Sequence, residues 1–304
     1  MASPMTFCSS PDSPVIDLPR PWAVVCHDAG GSNALLALLA AAGAPAGIRA
    51  FMAGPALSTW RQRFGTAPLA ASLDEALDGA GSVLTGTGWA TSLEHDARAL
   101  ARRRGLPCAA LLDHWANYAQ RFTRDGQTVL PEQIWVTDAQ ALRIARDEFP
   151  GADLRLQPDF QIQEQLEGIH DVRVAPPTLL YLLEPARDDW GRGRPGEFQA
   201  LDYFASRWPL PGVPAHARVV LRPHPSDPPG KYAGWVESQT GFVTALEVGG
   251  SLREALSGTR WVAGCESHAM VVALAAGRTV FGTLPPWAPR CRLPQPGIIH
   301  LRDA

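Results

Sequence analysis

The chain has 304 residues, 46% hydrophobic and 19% charged, with a formal net charge of −3. That length predicts two domains of about 150 residues each, and the near-neutral charge argues against a general nucleic-acid binder. Five cysteines, Cys8, Cys26, Cys108, Cys265 and Cys291, are odd in number and widely spaced; they read as reduced thiols of a cytosolic protein, with no disulfide frame, metal site or cofactor implied.

Residues 1–20 are polar and proline-rich, lack the pattern of a secretory signal, and read as a loose tail. The longest apolar stretch, 34–42, is too short to cross a bilayer, so no membrane span is expected, while peripheral action at the inner face of a membrane stays open. Residues 22–26 predict a buried strand, followed at once by His27-Asp28-Ala29-Gly30-Gly31-Ser32-Asn33 and a helix-forming run. Paired glycines let backbone approach a ligand closely, Ser32 or Asn33 can cap the helix, and a helix N-terminus favours an anion. No third glycine follows at the spacing of the dinucleotide fingerprint. Adjacent ionisable residues at a strand end suit proton transfer, which makes Asp28, with His27 beside it, the candidate base; a plain strand-to-helix turn explains the glycines equally well.

Residues 47–54 predict a second strand, 72–78 a short helix with Ser72 as cap and Glu75 at the capping-box position, 82–86 a third strand, and 92–104 a helix with arginines at its C-terminal end. The strand at 108–112 empties into Asp113-His114-Trp115-Ala116-Asn117-Tyr118, a polar and aromatic cluster suited to a sugar or other polyol acceptor. The alternative is a helix start capped by Asp113 with Trp115 in the core. Arg121 and Arg124 suit either an anionic acceptor or exposed ion pairs. A strand at 134–137 and a helix at 138–148 complete five alternations, implying a parallel, doubly wound sheet.

Apolar periodicity weakens between 151 and 177, which sets the expected domains at 21–165 and 176–304. A strong strand opens the second domain at 178–185, with a polar loop carrying Asp188-Asp189 and a helix at 197–207 after it. The strand at 219–221 empties into Arg222-Pro223-His224-Pro225-Ser226-Asp227. Two prolines forbid helix or further strand there, and a stiff cationic loop at the carboxyl end of a parallel strand is a binding edge. Further on come a helix around 231–239, strands around 242–246, 260–265 and 279–282, and helices at 251–256 and 266–276. Glu266, Ser267 and His268 stand where a strand hands over to a helix N-terminus, a place for a phosphate or ribose; Ser267 as a plain cap is compatible with that. The halves read as two copies of one architecture, two doubly wound Rossmann-like α/β domains facing across a cleft.

Over about residues 20–285 the chain resembles the GT-B superfamily of glycosyltransferases of bacterial cell-surface polysaccharide synthesis, such as capsule and lipopolysaccharide enzymes, and most closely those using CMP-activated nonulosonic acids, as bacterial sialyltransferases do. The resemblance rests on His224-Pro225, Ser267, and Asp28 ahead of Gly30. The family acid usually stands in a D/E-D/E-G motif where this chain has His27-Asp28-Ala29-Gly30, and the family hydroxyl pair is reduced to Glu266-Ser267. The resemblance implies a metal-independent transferase in which Asp28 or His27 deprotonates the acceptor. Gly30, Gly31, Arg222, His224, Glu266, Ser267 and His268 would bind the nucleotide-sugar donor. Asp113, His114, Trp115 and Asn117 would hold a glycan, protein-linked or lipid-linked acceptor, with no nucleic-acid partner and the oligomeric state open. The same segments resemble UDP-N-acetylglucosamine 2-epimerases and nucleotide-sugar hydrolases, whose second βα unit is similar to residues 85–114, and the glycerophosphotransferases of teichoic-acid assembly. A non-catalytic nucleotide-sugar or glycan-binding protein is the remaining reading.

Overall fold

A computed structural model of the chain describes residues 14, 16–173, 175–186, 188–242, 244–247 and 249–304. It divides into two compact units, the first ending at Gln161 and the second beginning at Ile162. Cys8 and most of the expected tail lie outside the described residues. Residues 16–20, read from sequence as part of that tail, are instead docked. Ile16 and Leu18 pack on the first unit's core, the Pro19 carbonyl accepts from Ser82 Oγ at 2.8 Å, and Arg20 Nη1 donates to the Ala46 carbonyl at 2.9 Å.

In chain order the first unit comprises β1 (Trp22–Cys26), α1 (Ala29–Ala41), β2 (Ile48–Met52), α2 (Gly54–Phe64), α3 (Leu73–Leu77), β3 (Ser82–Thr85), α4 (Leu93–Arg104), β4 (Cys108–Leu111), α5 (Tyr118–Phe122), β5 (Thr123–Arg124), β6 (Gln127–Thr128), β7 (Gln133–Val136), α6 (Ala139–Glu148) and β8 (Asp153–Leu156). Helix α7 (Phe160–Leu166) runs across the division. Six strands form a parallel sheet in the order β2-β1-β3-β4-β7-β8, while β5 and β6 make a separate antiparallel hairpin. Strands β1, β3, β4 and β7 are buried at every residue, the condition that turns a strand into an unbroken apolar run. On α1, Leu35, Leu36, Leu38 and Leu39 are at most 1% exposed, each such burial contributing about 1.5–3 kcal/mol.

The second unit comprises β9 (Thr178–Leu182), α8 (Gly196–Ser206), β10 (Arg218–Arg222), α9 (Ala233–Ser238), β11 (Thr244–Leu246), α10 (Leu252–Ser257), β12 (Trp261–Gly264), α11 (His268–Ala275), β13 (Thr279–Gly282) and β14 (Ile298–His300). Its parallel sheet has the order β11-β10-β9-β12-β13-β14. In the first unit an isolated parallel bridge from Ala50 to Leu69 lies outside β2, where β11 stands in the second, so the two sheets follow the same order with that third strand reduced to a single bridge. In both, the chain leaves its first strand in opposite directions, which creates a topological switch point between β1 and β3 and another between β9 and β12. The carboxyl ends of the strands at such points are where open α/β sheets receive ligands.

Candidate functional site

At the β1/β3 switch point, β1 ends at Cys26, so His27 and Asp28 are the first residues past the sheet. The chain turns straight into α1, leaving Asp28 extended at the N-cap position with no side-chain capping bond. Its carboxylate is therefore available: Oδ1 lies 2.8 Å from His27 Nδ1, and Oδ2 has no hydrogen-bond partner among the described residues. Gly30 and Gly31 lie inside the first turn of α1, not in a turn ahead of it, and Ser32 Oγ donates to the Ala29 carbonyl at 3.1 Å instead of capping the helix. A Cβ on Gly30 would run into Asp113 Oδ2, so the glycine gives that carboxylate its clearance.

Glu94, on the first turn of α4, was missed by sequence reasoning. It is 1% exposed, its Oε1 accepts the His27 backbone N–H at 2.7 Å, and its Oε2 is buried without a hydrogen bond. Burial raises its pKa, the His27 N–H opposes the rise, and the charge of Asp28 reinforces it. A Cβ on Gly88 would stand 2.6 Å from Asp28 Oδ2 and 2.8 Å from Glu94 Oε1, so the two carboxyl groups converge over a backbone position that has no room for a side chain. In the sequence Glu94 reads only as an acid complementing a helix dipole.

Asp113 joins the same strand-end cluster without capping a helix. Its Oδ1 pairs with Arg121 Nη1 at 3.0 Å and lies 3.4 Å from Thr87 Oγ1, which also bonds the Leu111 carbonyl at 3.1 Å. Helix α5 begins only at Tyr118, after Asn117 in a left-handed conformation with φ of 61°. Trp115 is 6% exposed and its indole N–H donates to Asp138 Oδ2 at 2.6 Å; Asp138 Oδ1 in turn caps α6 through the Ala141 N–H. Trp115 is thus a core residue with its polar handle occupied, as in the alternative that the sequence offered. The His114 ring is tilted against it at 5.6 Å. The exposed indole nearby is that of Trp89, directly after Gly88.

At the β9/β12 switch point, Glu184 lies two residues past β9 and accepts the backbone N–H of Glu266, just past β12. Burial pushes its carboxyl from 4.5 up to about 7; the Glu266 N–H opposes that, the Glu266 charge adds to it, and Arg292 opposes it. Glu266 forms an ion pair with Arg292, with Nε 3.1 Å from Oε1. Ser267 is the N-cap of α11, accepting from the Ala269 N–H at 3.3 Å, and His268 is the first helical residue, so the helix starts two residues later than its sequence suggests.

At the end of β10, Arg222 Nη1 pairs with Glu247 Oε2 at 2.7 Å and Nη2 donates to the Gly250 carbonyl at 3.0 Å. His224 is exposed; its backbone N–H donates to Asp227 Oδ2 at 3.0 Å and its Nδ1 lies 2.7 Å from Ser226 Oγ. The Asp227 side chain, 1% exposed, is gripped by Lys231 Nζ at 2.8 Å and the Tyr232 hydroxyl at 3.1 Å, and Lys231 also reaches Glu197 Oε1 at 2.6 Å. This buried network fixes the loop that presents His224. Among the described residues no group of three or more His, Cys, Asp or Glu side chains is placed to hold a metal ion, and no helix is long and apolar enough to cross a membrane.

No family model matches the chain, and no curated protein matches it. Solved structures do resemble it. A UDP-GlcNAc 2-epimerase from Methanocaldococcus jannaschii covers 93% of this chain over 89% of its own, with a TM-score of 0.59 and 8% identity. A UDP-glucosyltransferase from Polygonum tinctorium covers 90% over 81%, with a TM-score of 0.50 and 12% identity. The glycotransferase of kitacinnamycin covers 94% over 87%, with a TM-score of 0.51 and 13% identity. The chain shares with them the GT-B fold, two Rossmann-like α/β units in one polypeptide.

Proposed function

We propose that the chain is a glycosyltransferase that uses a nucleotide-activated sugar, with the acceptor activated on the first unit and the donor bound by the second. The observation that carries the reading is the cluster at the β1/β3 switch point: a partly exposed Asp28 carboxylate, oriented through Oδ1 by His27 and backed by the buried Glu94. An acceptor hydroxyl attacks the anomeric carbon and gives its proton to Asp28 Oδ2. The new carbon–oxygen bond forms as the bond from that carbon to the donor phosphate oxygen breaks, and the electron pair leaves on the phosphate. His224 and the positive end of the α11 helix dipole meet that developing charge. Arg222, its charge already matched by Glu247, acts on the donor by holding the strand end that carries His224. The finer assignments, a CMP-activated nonulosonic acid as donor and a cell-surface glycan, free or lipid-linked, as acceptor, belong to the same proposal and rest on His224-Pro225 and Ser267.

A second reading, a nucleotide-sugar 2-epimerase or hydrolase, is favoured by Glu184, a carboxyl near 7 at the second switch point and so able to give or take a proton at neutral pH.

A thermal-shift panel of CMP, CDP, UDP and GDP tests the proposal. A ligand at a hundred times its Kd stabilises by about 2.7 kcal/mol, and the shift should shrink in His224→Ala. Nucleotide release that rises with added acceptor supports the transferase, and donor turnover without acceptor supports the epimerase or hydrolase. If no nucleotide stabilises the chain, both readings fail; if Asp28→Asn changes neither turnover nor affinity, the site is a binding site without chemistry.

A further inference from the structure

Trp89, 46% exposed, is the most exposed of the large hydrophobic side chains described. It directly follows Gly88, the backbone position at which Asp28 Oδ2 and Glu94 Oε1 converge. The β5–β6 hairpin stands beside it: Arg124 Nη1 donates to the Trp89 carbonyl at 3.3 Å, and the Arg121 guanidinium carbon lies 5.9 Å from the Trp89 ring centre. Arg98, 1% exposed, fixes the hairpin from beneath. It donates from Nε to the Val129 carbonyl at 3.1 Å and from Nη2 to the Arg121 carbonyl at 3.2 Å, so one buried guanidinium grips the chain on both sides of the hairpin. His95 Nε2, 3.2 Å from the Gln127 carbonyl, adds a third hold.

The two arginines beside Trp89 are not equivalent. Arg121 is 11% exposed at its side chain and its charge is matched by Asp113. The Arg124 side chain has no carboxylate partner among the described residues and makes its one hydrogen bond there to a neutral carbonyl. A positive charge left unmatched on a fixed hairpin, next to an exposed indole and near the candidate base, is a recognition arrangement without a structural debt to settle.

We propose that Trp89 and Arg124 form an acceptor subsite for an anionic saccharide, with a sugar ring packed on the indole and its carboxylate or phosphate held by the Arg124 guanidinium. The assignment rests on the reading of Asp28 as the group that takes the acceptor proton. A sugar's C–H face packs on an aromatic face, and the planar guanidinium offers two parallel N–H donors to a carboxylate or phosphate. Arg121 shapes the wall and does not recognise the anion. The aromatic platform lies on the β3–α4 loop and not in the cluster after β4, where the Trp115 indole N–H is already occupied.

Calorimetric titration of the full chain with three probes tests this: the methyl glycoside of N-acetylneuraminic acid carries a carboxylate, glucose 6-phosphate a phosphate, and methyl glucoside no charge. At least one anionic probe should bind tenfold or more tighter than the neutral one, with an affinity that falls as salt rises. Whichever anion wins identifies the group. Trp89→Ala and Arg124→Ala should each weaken that probe tenfold or more, and Arg124→Lys, which keeps the charge, should restore part of the loss; melting curves will show that the variants are folded. The subsite is overturned if neither anionic probe outbinds methyl glucoside, or if folded Arg124→Ala keeps the wild-type affinity. Nucleotide stabilisation of the same variants separates the two claims: an intact nucleotide shift without anion preference sinks the subsite alone, and saccharide binding without any nucleotide shift sinks the transferase reading alone.

Discussion

Replacing Glu184 by Gln should change how the stability of the chain depends on pH. The folded chain keeps the Glu184 proton up to about pH 7, whereas an unhindered carboxyl releases it near 4.5. Between those values the folded state binds more protons than the unfolded state, so this group makes stability fall as pH rises, and the loss is complete above pH 7. A rise of that size corresponds to at most about 3 kcal/mol. Gln retains an oxygen able to accept the Glu266 N–H but cannot ionise, so the variant escapes the loss. Urea midpoints of the full-length wild type and Glu184→Gln, measured from pH 4.5 to pH 8, should diverge in favour of the variant as pH rises. A difference that stays flat across that window would show that Glu184 is not held protonated by its burial. A ¹³C titration of the Glu184 carboxyl gives the same answer at the single group.

Gly88→Ala should cost about 1–3 kcal/mol through overpacking, because the new methyl would stand 2.6 Å from Asp28 Oδ2 and 2.8 Å from Glu94 Oε1; an unchanged urea midpoint would mean the two carboxyl groups are free to part. Trp115→Phe removes the indole N–H from Asp138 and should cost about 1–3 kcal/mol while leaving saccharide affinity unaltered; a selective loss of saccharide binding would return Trp115 to the acceptor site. Arg98→Met leaves the Arg121 and Val129 carbonyls without their donor, so amide exchange across residues 123–128 should accelerate well beyond that of the sheet. Uniform protection in that variant would show that the hairpin is held by other contacts.

Strands β1, β3, β4, β9, β12 and β13 were legible in the sequence because burial on both faces demands a nearly unbroken apolar run, and Ala, Val, Leu and Cys supply most of it; β10 was legible through its short run Val219–Leu221 ahead of two prolines. Strands β8 and β14 were not: Asp153–Leu156 is half-exposed and carries two charged residues, and Ile298–His300 is three residues long. Helix α2 escaped because it buries only Ala56 and Trp60, too few to show a helical period. At the site, His27 and Asp28 stood out as adjacent ionisable groups at a strand end. Glu94 and Glu184 did not, because what makes each unusual is burial against a backbone N–H contributed 67 and 82 residues away in sequence. The same limit applies to the two tryptophans near the site. Trp115 sits in the denser polar and aromatic cluster and Trp89 in a plain glycine and hydroxyl turn, but accessibility, set by Asp138 in one case and the hairpin in the other, separates them.

The hairpin also has a bearing on how such a chain can change. It occupies the connection between β4 and β7, two adjacent strands whose hydrogen bonds run without it, and it is tethered by one interior guanidinium at its two ends. Residues 123–128 can therefore be rewritten, in length or charge, at little risk to the sheet, provided Arg98 and the two carbonyls it bonds persist. If Arg124 recognises the acceptor as proposed, grafting a neutral or acidic hairpin onto the same Arg98 anchor should change which saccharides bind while the melting temperature stays close to that of the wild type.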